Sequence, residues 1–453
     1  MPASTAPTVS GRAAVAWTSS SGFMSQMKLL AAAILVLGAS TAADAQGTET
    51  PAGKGEYLAR AGDCIACHSV RGGKAFAGGL RMGTPMGVIY STNITPDPDT
   101  GIGNYSLRDF DRAVRSGIAK DGHHLYPAMP YPSYAKISDE DLQALYAFFM
   151  KEVPPVNQAN KPNEIPWYGS PRWPLAVWNT IFARSGAYVA RADRDAVWNR
   201  GAYLVEGLGH CGACHSPRGW AFQEKALDDS SSAYLQGAEL DAWSAPNLRG
   251  DLRTGLGGWS QDDIAAFLKS GHNDKGVAFG SMLDVVNNST PYLSDEDIRA
   301  MATFLKSLPA TASEAQFVYD DAATRTLEGS TPQQSGAAIY LGMCAACHGA
   351  DGKGQAPFMP PLAGNPVVLD TNPSSLINLV LNGADPLVVK GVPDAYRMPQ
   401  FRIQLNDEAI GEVLSFVRGA WGNGAAEVRA EQVKKLRPVT DPSSDRVIVL
   451  KMR

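Results

Sequence analysis

Cys64-Ile65-Ala66-Cys67-His68, Cys211-Gly212-Ala213-Cys214-His215 and Cys344-Ala345-Ala346-Cys347-His348 are three copies of one pentapeptide, C-x-x-C-H. Two thiols at this spacing reach the two vinyl groups of one haem and form thioethers with them. The histidine that follows then falls beneath the iron as an axial ligand. The chain has six cysteines and the three motifs use them all. A zinc site needs further Cys or His at matching spacings, and no cysteines remain for one. A thioredoxin-like redox pair does not require the histidine, still less three times. The motifs therefore predict three covalently bound haem c groups. Cys64, Cys67, Cys211, Cys214, Cys344 and Cys347 attach them, and His68, His215 and His348 bind the irons.

The sequence around each motif repeats as well. A short helical pattern with a glycine and an aromatic precedes each one: Gly55-Glu56-Tyr57-Leu58, Gly201-Ala202-Tyr203-Leu204 and Gly336-Ala337-Ala338-Ile339-Tyr340-Leu341. A capped amphipathic helix closes each unit, starting at Ser138, Ser294 and Asn406. Acidic residues follow in the first turn, and apolar residues then recur at helical spacing, as in Leu142, Leu145, Phe148 and Phe149. The first two units share a middle helix, marked by Tyr105-Ser106 with Asp109 and Gly117 and by Trp259-Ser260 with Asp263 and Gly271; the third has a looser version from Pro373 to Gly383. A chain of 453 residues suits about three domains of roughly 150 residues. The expected fold is mainly α, three tandem cytochrome c-type domains at 50–152, 196–309 and 333–420, each built around one covalently bound haem.

An iron that only passes electrons needs a second axial ligand, and methionine is a common choice that raises the potential. Met129 in Tyr126-Pro127-Ala128-Met129-Pro130, Met282 in Phe279-Gly280-Ser281-Met282 and Met398 in Tyr396-Arg397-Met398-Pro399 recur just upstream of each last helix. A lone methionine is more often core filling, but recurrence at one place in each unit favours ligation for these three. His123 and His124 lie close to Met129 and leave bis-histidine ligation of the first haem as an alternative. His210 sits directly before Cys211, too close to reach the opposite face, and His272 is expected in solvent. Segments at Asn93-Ile94-Thr95-Pro96, Pro246-Asn247-Leu248 and Pro360-Pro361-Leu362 are placed to accept the imidazole N–H through a backbone carbonyl. Arg81, Arg249 and Tyr90 are candidates for the haem propionates.

At the N-terminus, Lys28 precedes the apolar run Leu29 to Leu37 and then Ala43-Asp44-Ala45. This is the layout of a secretory signal cleaved after Ala45; residues 1–23 precede it, and Met24 or Met27 would serve as the start. The run is too short to span a bilayer comfortably. Export places the protein in the periplasm, at the outer face of the bacterial inner membrane, where c-type haem is attached. A formal net charge of −5 argues against nucleic acid, which calls for a basic stripe. Residues 153–195 form a linker rich in proline and tryptophan (Trp167, Trp173, Trp178), expected to be extended and to bury its rings between the first two domains, with a docking surface for a partner as the rival reading. Residues 310–332 read as a polar tether. The tail 421–453 ends Val447-Ile448-Val449-Leu450, a possible strand.

Taken together, Gly62-Asp63-Cys64-Ile65-Ala66-Cys67-His68, Tyr90-Ser91-Thr92-Asn93-Ile94-Thr95-Pro96-Asp97, Leu125-Tyr126-Pro127-Ala128-Met129-Pro130-Tyr131-Pro132 and Gly201-Ala202-Tyr203-Leu204-Val205-Glu206-Gly207-Leu208-Gly209-His210-Cys211 resemble the triheme cytochrome c subunit of the membrane-bound periplasmic dehydrogenases that oxidise alcohols, sugars, gluconate or aldehydes. The resemblance implies a catalytic dehydrogenase partner subunit that holds PQQ, FAD or molybdopterin, electron passage to ubiquinone, and peripheral membrane contact. It gives this chain no substrate pocket. Alcohol- and fructose-type members carry amphipathic helices near the C-terminus, whereas residues 420–453 here are short, which leans toward the aldehyde-oxidising molybdenum type. A free-standing periplasmic carrier and a haem peroxidase are the rival readings; a peroxidase needs one iron with an open site.

Overall fold

Each repeat begins and ends on a helix, and a single glycine sets how closely the two cross. The computed structural model describes residues 51–442 apart from 85, 168, 184–185, 241, 330–333 and 394–395. The expected leader (1–45) and terminal strand (447–450) lie outside these residues. In the first repeat, helix Pro51–Ala61 leads into the haem-motif turn Cys64–His68 and Asp139–Lys151 closes the unit. In the second, Ala196–Tyr203 runs on through a π-helical turn Leu204–Leu208 to Gly212–His215, and Asp295–Ser307 closes it. The third uses Ser335–Met343, Ala345–His348 and Asp407–Gly419. A Cβ built on Gly55 would lie 2.1 Å from the Ala144 carbonyl oxygen, on Gly201 1.9 Å from that of Ala300, and on Gly336 2.2 Å from that of Glu412. Only glycine permits that backbone approach, which explains why each pre-motif pattern carries one.

The helix starts follow from their caps. Ser138, Ser294 and Asn406 each accept from the backbone N–H three residues on, and Ser106 and Ser260 form full capping boxes with Asp109 and Asp263. The middle helices Leu107–Ser116 and Gln261–Ser270 end on left-handed Gly117 and Gly271, and the third repeat's version is Ser374–Asn382. Among the described residues, strands form only small two-stranded antiparallel hairpins, such as Arg81–Thr84 with Gly87–Tyr90.

Repeats one and two share one continuous apolar core, running from Leu58, Leu145 and Phe148 through Leu204 and Leu208 to Met301 and Phe304. A reciprocal pair of polar contacts joins them. Tyr57 donates to Asp297 at 2.6 Å, and Tyr203 donates to Asp141 at 2.6 Å. Each tyrosine oxygen also receives the backbone N–H of the partner helix's N-cap serine, Ser294 or Ser138. The two repeats thus pair as a pseudo-twofold unit, each giving the same residues to the other. The third repeat has its own core around Tyr340, Leu414 and Trp421. It lacks the reciprocal contact because Ala409 stands where the acidic residue would be and Ala338, two residues after the crossing glycine, stands where the other repeats have Tyr57 and Tyr203.

The linker differs from the extended expectation. Trp173–Phe182 is a helix with Pro174 in its first turn, where a preset φ favours helix initiation. It buries only part of its rings: Trp178 donates to the Ala221 carbonyl and packs against Tyr131, while Trp167 and Trp173 are exposed. The tail carries helix Ala430–Val439, whose Val433 and Leu436 join the third core.

Candidate haem sites

Each motif is a tight helical turn that brings its histidine against the chain that follows. His68 Nδ1 lies 2.7 Å from the Thr92 carbonyl oxygen, His215 Nδ1 2.7 Å from that of Pro246, and His348 Nδ1 3.1 Å from that of Pro360. A carbonyl only accepts, so Nδ1 carries the proton and Nε2 is left with a free lone pair. That is the tautomer an iron ligand requires. In the first repeat the acceptor is Thr92, directly before the expected Asn93–Pro96 segment. Burial lowers the pKa of all three imidazoles, opposed by the bond to the carbonyl.

A second clamp acts on the same histidines. The backbone N–H groups of Gly78, Gly237 and Gly354 donate to the carbonyls of His68, His215 and His348 at 2.8, 2.7 and 2.9 Å. All three glycines have positive φ (72°, 91° and 65°), a conformation glycine adopts without strain. Sequence reasoning missed them because their distances from the histidines vary too widely to form a motif.

None of the cysteines is joined in a disulfide. Burial pushes the Cys64, Cys67 and Cys211 thiols up to about 12 and Cys344 to about 11. Reactive redox pairs need the opposite shift. In the second repeat, Cys211, Cys214, His215 and Met282 line one mainly apolar cavity together with Leu248, Leu268 and Met301. Two thiols, an oriented imidazole and a thioether around an apolar space are a donor set that fits a haem c. The cavity wall is completed by both neighbours: Asp63 comes from the first repeat, Pro366 and Val367 from the third. Asp63 is buried with Oδ1 unpartnered, and burial together with nearby Asp284 holds its pKa well above the carboxylate range.

Met129 sits in the loop before Tyr131–Tyr134, half-buried against the shared core. Met282 opens helix Met282–Asn288, and Met398 packs on the third core while its carbonyl accepts from Ala384. Of the histidine rivals, His123 is exposed beside Asp121 at 2.5 Å, and His124 Nδ1 lies 3.3 Å from the Asn179 amide of the linker helix. His210 stacks on Tyr134. His272 is not a solvated loop residue; its ring packs on Phe358 of the third repeat at 5.4 Å. The propionate candidates are engaged elsewhere. Arg249 is buried and donates to the carbonyls of Tyr234 and Pro309, while Arg81 and Tyr90 converge on Glu164 of the linker.

Folds of this kind, three helical units each with an attachment motif and a carbonyl-oriented histidine, define multihaem cytochromes. The cytochrome c family model matches residues 52–152, 199–309 and 333–421, and the chain belongs to that family, with three covalently bound haem c groups. It is 53% identical over 419 residues to the gluconate 2-dehydrogenase cytochrome c subunit of Pantoea cypripedii, covering 91% of this chain and 95% of that one. It is 48% identical over 430 residues to the cytochrome c subunit of the quinone alcohol dehydrogenase of Gluconobacter oxydans (strain 621H), covering 93% and 90%. The fructose dehydrogenase cytochrome subunit of Gluconobacter japonicus is 40% identical over 435 residues, covering 89% and 87%. None of these three is named for an aldehyde, so the leaning toward that type, drawn from the short tail, finds no support among them. Among the described residues no helix is long and apolar enough to cross a membrane.

Proposed function

We propose that this chain is the electron-transfer subunit of a periplasmic dehydrogenase complex at the outer face of the inner membrane. It receives electrons from a catalytic partner subunit and passes them through three haems to ubiquinone. Cys64/Cys67, Cys211/Cys214 and Cys344/Cys347 attach the haems; His68 with Met129, His215 with Met282 and His348 with Met398 ligate the irons. When bound, each haem supplies a one-electron couple. The residues here hold the imidazole tautomer, keep the second cavity apolar, and set that site against both of its neighbours.

The observation that carries the reading is the second cavity, bounded by Asp63 on one side and by Pro366 and Val367 on the other. A middle carrier touched by both neighbours is the arrangement a relay requires. The likeness to gluconate, alcohol and fructose dehydrogenase cytochrome subunits supports a dehydrogenase as donor. The test is purification of the native protein. Co-purification with a larger catalytic chain, substrate-dependent reduction of all three haems, and reoxidation by added ubiquinone are expected. A cytochrome that purifies alone and turns over peroxide would overturn the proposal. A bis-histidine spectrum at any haem would overturn the ligand set.

A further inference from the structure

Helix Trp173–Phe182 contains no charged residue, yet it lies at the surface. Its inner side carries Trp178, Asn179 and Phe182, which meet Ala221, Tyr131 and Trp220. Its outer side presents Trp173 at 71% exposure, Val177 at 53% and Ile181 at 64%. These positions are four residues apart, so they form one stripe along the helix. Across the Phe182–Trp220 contact, the second repeat adds Trp220 at 87% and Phe222 at 55%. A surface helix normally turns a polar face outward. An exposed apolar stripe of this kind, with further exposed aromatics beside the helix, marks a site of interaction.

Charge identifies what covers it. The chain has 45 acidic residues in 453, but residues 165–192 contain none, and Arg172 directly precedes the helix. Indole rings prefer the headgroup level of a bilayer, aliphatic side chains enter the acyl boundary below it, and basic residues are drawn to anionic headgroups. A protein interface would ring such an apolar centre with a polar rim of mixed character; this stretch offers no acidic residue for one. We propose that helix Trp173–Phe182, with Trp220 and Phe222, lies in the plane of an anionic lipid surface and seats the protein on it. The inference rests on the membrane association proposed above and names the surface responsible. The seat adjoins the first haem site: Arg172 lies 3.9 Å over the Tyr126 ring and Tyr131 donates to Asn179 at 2.6 Å, both in the segment that holds Met129.

The test is co-sedimentation of the haem-loaded full chain with phosphatidylglycerol vesicles and with phosphatidylcholine vesicles. The wild type is expected to bind the anionic vesicles more tightly. Combined Trp173→Ser, Val177→Ser and Ile181→Ser should weaken that binding at least tenfold, since roughly that much is lost with even one buried aliphatic side chain. Trp220→Ser alone should give a smaller loss. Ile403→Ser, at an 88% exposed position in the third repeat, should change nothing. Unchanged haem content and visible spectrum show that each variant is folded. If the wild type binds neither vesicle, membrane association itself fails. If it binds and the triple variant binds equally, the seat lies elsewhere and this inference alone falls. A triple variant that keeps vesicle binding but loses its catalytic partner makes the stripe a protein interface, which also overturns it.

Discussion

The imidazole of His210 stacks on the ring of Tyr134, with centroids 5.6 Å apart and planes inclined by 29°. His210 directly precedes the second motif, and the Tyr134 hydroxyl donates to the Gly62 carbonyl, two residues before the first. One side chain therefore touches the residues that lead into two haem motifs. The backbone there is strained in each case, with Asp63 at φ 47° and His210 at φ 38°. Left-handed conformations of this kind cost non-glycine residues about 1–2 kcal/mol each and persist where surrounding contacts hold them.

Tyr134→Phe keeps the stack and leaves the buried Gly62 carbonyl without its donor, a loss of about 1–2 kcal/mol in chemical denaturation. Tyr134→Leu removes the stack as well, and should cost roughly 3 kcal/mol. The expected kinetic split is that electron exchange between the first two haems slows in the Leu variant and is unchanged in the Phe variant. Equal rates in all three proteins would make the stack a purely structural contact.

The helix crossings make a second prediction. Gly201→Ala places a methyl 1.9 Å from the Ala300 carbonyl oxygen and 2.9 Å from Phe304 Cβ. Neither atom is the flexible end of a side chain, so the helices must move apart. Overpacking of this kind costs about 1–3 kcal/mol. Gly419→Ala, at a helical glycine with open space around it, is the control and should not lower stability. Denaturant midpoints at constant slope decide between them.

These glycines were visible in the sequence as repeats, because a backbone crossing demands the same residue each time. The caps at Ser138, Ser294 and Asn406 were visible for the same reason, being local and chemically specific. The carbonyls that orient His215 and His348 fell on the expected prolines. What escaped was non-local. The Tyr57–Asp297 and Tyr203–Asp141 pairs join residues 240 and 62 positions apart, and no periodicity reports such a contact. Trp173–Phe182 read as an extended linker because proline and tryptophan are weak helix formers, whereas Pro174 in the first turn is where proline is tolerated. Arg249 looked available to a propionate only because its burial beneath Tyr234 and Pro309 depends on the tertiary fold.

The Tyr57–Asp297 contact carries a pH signature. Burial raises the Asp297 pKa, but hydrogen bonds from Arg200 and Tyr57 outweigh it and hold the carboxyl below its ordinary value. A depressed folded pKa contributes stability that is present above the unfolded value of about 3.9 and is lost as pH falls through the folded value. Asp297→Asn should therefore cost about 1–3 kcal/mol at pH 7, as expected for charge-assisted hydrogen bonds. Urea denaturation should show the gap to wild type narrowing as pH falls below about 4. A gap of constant size would show that the charge is not what binds the two repeats.

Glu224 carries the opposite sign. Its carboxylate is buried beside Gly212 of the second motif, Oε2 has no partner, and Oε1 lies 3.9 Å from Arg218 Nη1. Burial pushes its pKa up to about 7, against the pull of Arg218 and Lys136. An unfolded glutamate titrates near 4.3. Between the two values the folded chain holds a proton that the unfolded chain has released, so stability falls as pH rises through this window. Glu224→Gln keeps the shape and removes the ionisation. It should match the wild type at pH 4, and exceed it by up to about 3 kcal/mol at pH 8, since each pKa unit is worth about 1.4 kcal/mol. Thermal melts of the two holoproteins across that range are the measurement. Parallel curves would show that Glu224 ionises as freely in the fold as in water, and that the Arg218 pair or entering water compensates its burial.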